Sequence, residues 1–185
     1  MTDLNMSYGP RSLDLSPNRP NGLGLTMSTL LPIAAMIIVN GMLSLLAPTY
    51  AMPDFPSPFG ALPSWLVAAV WFAIYPMWGA ARWYAYQASA KGRVVSWWVV
   101  ALIGWGIVYP LVLPHLDAFF GTWISVASLF LGLITGIKLA RVSKIAFFLV
   151  LPSLLWISLS SALSFLSFSQ GWAPPFGATN SPAQQ

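Results

Sequence analysis

A chain of 185 residues in which 57% of side chains are hydrophobic and only 6% are charged is too apolar for a soluble domain, where about a quarter of residues carry charge. A formal net charge of +4 spread over short turns does not read as a nucleic-acid surface, and the absence of Cys excludes disulfides, thiolate metal sites and a Cys nucleophile. The length suits one compact membrane bundle.

Residues 1–26 are polar and contain Pro10, Pro17, Pro20, Gly22 and Gly24. No apolar run follows Arg11 closely enough for a secretory signal. The segment therefore reads as a flexible cytoplasmic arm. Residues 27–170 then hold five apolar stretches, each near the roughly 20 residues that cross a bilayer as a helix. These are Met27–Ala47, Leu62–Tyr84, Val94–Leu113, Phe119–Ile137 and Ile145–Phe168. The fold class expected is all-α, an integral membrane bundle of five transmembrane helices.

The first connection, Pro48–Pro63, contains five prolines. Each fixes φ and removes an amide donor, so a stiff, irregular loop is expected. Its Tyr50, Met52, Phe55 and Phe59 fit a lid over a pocket or a loop lying in the membrane interface. The connections Gln87–Arg93 and Lys138–Lys144 are short and basic, and Pro114–Asp117 is a tight turn. Short connections make consecutive helices antiparallel neighbours. Residues 171–185, uncharged and containing Pro and Gly, read as a disordered tail.

Threading the spans back and forth puts all eight Lys and Arg residues on one face. Asp54, His115 and Asp117 fall on the other. Lys and Arg accumulate in short cytoplasmic loops, so the N-terminus is expected inside and the C-terminus outside, with a bacterial inner membrane as the default host. The same cations can touch anionic lipid head groups.

Within the spans, Pro32, Pro76, Pro110 and Pro152 each free a backbone carbonyl. Gly132-x-x-x-Gly136 allows close helix approach, in a dimer or within one chain. Arg82 is expected to snorkel to the interface. His115 beside Asp117 reads as a surface feature of the turn. Clustered metal ligands and a base beside a nucleophile are both missing, so catalysis by side chains is not expected.

The chain is rich in aromatics, with ten Trp, six Tyr and eleven Phe. Trp83, Trp97, Trp98 and Trp172 stand near span ends and fit an interfacial belt. Trp71, Tyr75, Trp78 and Arg82 instead recur at helical spacing on one stripe. Trp105 and Trp156 lie inside spans. Such rings line a pocket for a flat apolar guest, or fill a core, or face lipid.

The segment Trp65-Leu-Val-Ala-Ala-Val-Trp71-Phe-Ala-Ile-Tyr75-Pro-Met-Trp-Gly79 resembles a motif of the tryptophan-rich sensory protein family, also called the translocator protein or peripheral benzodiazepine receptor family. Leu151-Pro152-Ser-Leu-Leu-Trp156 resembles another of its segments, and Pro110 falls on the proline of its third helix. The resemblance implies a five-helix bundle, often dimeric, binding a planar hydrophobic ligand without covalent attachment. The ligands it implies are tetrapyrroles such as porphyrin or haem, and sterol-like lipids. By that correspondence Trp71, Tyr75 and Trp156 line the cavity, with Ser160 one turn beyond Trp156. Phe59 stands in the loop that closes it, and Trp65 begins the motif. The chain departs where Trp105 and Val108 replace an Asn followed by a Trp, so that Trp105 partly fills the cavity. The departures leave a rival function: a non-catalytic structural or assembly subunit of a larger pigment–protein or respiratory membrane complex.

Overall fold

The computed structural model describes residues 22–46, 64–112, 116 and 118–170. The described residues form α1 (Gly22–Leu46), α2 (Ser64–Ala88), α3 (Ala90–Val112), α4 (Ala118–Ala140) and α5 (Lys144–Gln170). The protein is an all-α membrane bundle. Residues 22–42, 90–112, 119–140 and 144–163 are each long and apolar enough to cross a membrane. α2 is no shorter, at 25 residues, but Arg82 and its many Trp and Tyr make it less apolar. Its position explains why that is tolerated: α2 packs against α1, α3 and α5, so much of its surface meets protein. The outer faces of the other helices carry exposed Leu31, Ile38, Phe130, Phe148 and Leu155. Apolar exposure on that scale has no place in water and meets the bilayer.

α2, α3, α4 and α5 close a ring, each packed on the next and α5 on α2, with α1 laid mainly against α2. Neighbours in the ring run antiparallel, as the short connections require. The α2–α3 connection is shorter than the seven residues expected, because only Ser89 interrupts the helices. Ser89 caps α3: its Oγ accepts the Gly92 amide at 2.9 Å, which satisfies an orphan donor of the new helix. Gly92 lies against the Ala85 carbonyl, where a side chain would collide. α1 begins at Gly22, five residues before the expected span. The arm over residues 1–21, the loop 47–63, His115, Asp117 and the tail 171–185 lie outside the described residues.

All four expected prolines lie within helices. Pro32 has no amide to give the carbonyl of Ser28, four residues earlier. That carbonyl instead faces the Cα of Gly79 on α2, and Ser28 Oγ donates to the Gly79 carbonyl at 2.8 Å. The freed acceptor thus becomes the place where α1 and α2 backbones meet.

The small-residue face of α4 is used within the chain. A Cβ on Gly132 or Gly136 would meet Leu154 of α5 at 2.8 or 3.0 Å. Gly132→Leu is therefore expected to lower the unfolding temperature while leaving the oligomeric state in detergent unchanged. Light scattering that found a change of state with unaltered stability would assign this face to a dimer contact instead.

Candidate functional site

Three rings of α2 form a continuous cluster. Trp71 and Tyr75 have centroids 5.9 Å apart, Tyr75 and Trp78 5.4 Å, and Trp71 and Trp78 6.1 Å. Both contacts of Trp78 are edge-on, the arrangement that ring quadrupoles favour. Spacing of three and four residues puts all three on one helical face. The cluster is graded in depth. Trp78 is 1% exposed and Tyr75 3%, whereas Trp71 is half-buried.

Trp78 fixes the deep end. Its indole N–H donates to Ser153 Oγ of α5 at 2.8 Å, and that hydroxyl donates on to the Val150 carbonyl at 2.7 Å. Its ring edge and the Tyr75 hydroxyl lie against Gly106 of α3, leaving no room for a Cβ. Below Trp78 the ring of helices is filled by Val99, Leu102, Leu139, Val150 and Thr135, all at or below 1% exposure.

The Trp78–Ser153 pair sets the register between the antiparallel α2 and α5. Counting outward from it, Tyr75 stands level with Trp156, and Trp71 level with Ser160. Trp156 is half-buried against the core, and Ser160 is half-buried as well. Hydroxyls join the other walls of this outer half. Trp105 donates to Ser128 Oγ at 2.7 Å, Tyr109 and Ser125 share a hydrogen bond of 2.8 Å, and Ser161 Oγ donates to the Ser125 carbonyl at 2.9 Å.

The sequence-derived candidates thus divide. Trp71, Tyr75, Trp156 and Ser160 occupy one half of the ring. Trp105 is turned to α4 by its bond to Ser128, while the neighbouring Gly106 faces α2. Trp65 stands apart at the start of α2, 69% exposed. Phe59 lies outside the described residues. Sequence reasoning placed Trp78 on the aromatic stripe without assigning it to the site, and it missed Ser153 and Gly106. Trp78 was legible from the spacing alone; a Ser and a Gly carry no signal until their helices are brought against it.

Among the described residues no group of His, Cys, Asp or Glu could hold a metal ion. What this half of the ring offers is π-faces, indole and phenol edges, and hydroxyls already engaged in hydrogen bonds. Such a surface can bind and orient a flat apolar molecule.

A search of curated proteins finds no match. The sequence signature of the TspO/MBR family matches residues 28–168, which span all five helices. The chain belongs to the TspO/MBR family.

Proposed function

We propose that this TspO/MBR family member is a membrane sensor or receptor that binds a planar hydrophobic guest, a tetrapyrrole before a sterol-like lipid, in the outer half of its helix ring. The observation that supports this reading is the depth gradient of the α2 cluster. Trp78 and Tyr75 are locked in place, and Trp71 continues them with its ring half-buried. Trp156, level with Tyr75 on α5 and half-buried against the core, would supply a second ring. A porphyrin has a π-surface to stack on both, which a sterol lacks. These aromatic faces would hold the macrocycle itself. An iron porphyrin would rest on the same faces.

The chain's own residues would then bind, orient and exclude water, without chemistry on the guest. Each aromatic contact contributes about 0.5–1.5 kcal/mol beyond burial. Titrating the purified protein with protoporphyrin is expected to give saturable Trp quenching. Trp71→Ala with Trp156→Ala should weaken that binding by about tenfold or more. Linear, unsaturable quenching, or an unaltered affinity in the double variant, would remove the proposal.

A further inference from the structure

The basic end of the bundle is built differently from its aromatic half. Arg82, Lys91, Arg93, Lys138, Arg141 and Lys144 all fall at the joined ends of α2–α3 and α4–α5, and no acidic residue occurs among the described residues. Lys138 is accounted for, its Nζ 4.7 Å above the Trp98 ring. Arg82 is not. It lies between Trp78 and Ala85 on the face that α2 turns to α3, and its Nε is shut off from solvent with no hydrogen-bond partner. Arg82 as a whole is half-buried, so its Nε is sheltered while the outer edge of the guanidinium is not closed off in the same way. A buried donor without an acceptor is costly, and a guanidinium can never shed its charge to escape that cost.

We propose that Arg82 anchors the phosphodiester of an anionic phospholipid at this end of the bundle. Three observations favour that occupant. The guanidinium fork matches phosphate oxygens, and the surrounding cations give the charge complementarity. Arg82 is six residues from the end of α2, roughly 9 Å along the axis. Trp83, Tyr86 and the exposed Trp97 mark the head-group level nearby. Finally, Trp78 spans from α2 to Ser153 of α5 and is fully buried. It separates Arg82 from the aromatic half, so the acceptor comes from the basic face and not from a guest's carboxylate.

The test uses the full chain in phosphatidylcholine nanodiscs with and without phosphatidylglycerol, with unfolding read by Trp fluorescence and lipid retention by native mass spectrometry. Phosphatidylglycerol is expected to raise the unfolding temperature of the wild type. Arg82→Met should weaken phosphatidylglycerol retention by about tenfold or more, against roughly twofold for Lys91→Gln. In pure phosphatidylcholine Arg82→Met should be at least as stable as wild type, since an unsatisfied donor is gone; this also establishes that the variant folds. The proposal is overturned by an equal response to both lipids, or by a full phosphatidylglycerol response in Arg82→Met. It is also overturned if inorganic phosphate alone reproduces the stabilisation, which makes this a free-anion site. If Arg82→Met instead weakens protoporphyrin binding and leaves the lipid response intact, the acceptor is the guest and the lipid site is wrong.

Discussion

Trp78→Ala is expected to destabilise the bundle by about 3–5 kcal/mol, the range for truncating a large buried aromatic. Trp78 is the largest fully buried side chain among the described residues and touches two other helices. Its loss empties the space against Gly106 and removes the only side-chain hydrogen bond described between α2 and α5. Trp78→Phe keeps most of the ring and should cost less, about 1–2 kcal/mol, chiefly through the lost indole donor. Ser153→Ala leaves that donor buried without an acceptor, and about 1–3 kcal/mol is expected. The double variant should therefore cost clearly less than the sum of the singles. Thermal unfolding in one detergent, followed by near-ultraviolet circular dichroism, reads all four. Additive losses would mean that the hydrogen bond does not couple the helices. The consequence reaches the proposed site, since Trp78 braces the rings above it.

Gly79→Ala and Gly104→Ala are expected to shift stability in opposite directions, although they add the same methyl group to a helix. At Gly79 the new Cβ would run into the Ser28 carbonyl and the Cα of Thr29. These are backbone atoms and cannot rotate aside, so α1 must move off α2. Overpacking of this kind costs about 1–3 kcal/mol, and the Ser28–Gly79 hydrogen bond adds about 1 kcal/mol if it breaks. At Gly104 nothing lies within 4 Å of the new atom, and replacing Gly in a helix by Ala gains about 0.5–1 kcal/mol. Unfolding temperatures of the two variants in the same detergent decide the matter. An unaltered Gly79→Ala would contradict the close α1–α2 approach, and a destabilised Gly104→Ala would contradict the open space beside that residue.

The five helices could be read from the sequence because membrane spans announce themselves by length and apolarity. Even so, α2 nearly escapes a purely hydropathic reading, and it is its shelter among α1, α3 and α5 that makes Trp, Tyr and Arg acceptable there. The ends were less legible. Gln87–Arg93 looked like a loop because it is polar, yet a single Ser with the right hydroxyl can end one helix and cap the next. Gly132 and Gly136 announced close packing without naming the partner; only the α4–α5 contact did that. For the proposed site, Trp71, Tyr75 and Trp156 come from spacing and resemblance. For Trp105 nothing in the sequence pointed to its partner, since Ser128 lies on another helix. Arg82 gave its address near the span end but not the enclosure of its Nε. Position near a span end implies solvent, whereas burial of its Nε depends on the helices beside it.

The central claim is that a flat guest sits between α2 and α5 in the outer half of the ring. The most direct measurement is the stoichiometry and residue dependence of protoporphyrin quenching in one set of variants. One guest per chain is expected, with Trp71→Phe and Trp156→Phe each removing a large part of the quenched signal. Trp97→Phe and Trp123→Phe, whose rings are 67% and 57% exposed on the outside of the bundle, should leave affinity and stoichiometry unchanged. If quenching tracks Trp97 and Trp123, or never saturates, the guest is dissolved around the bundle and the account fails.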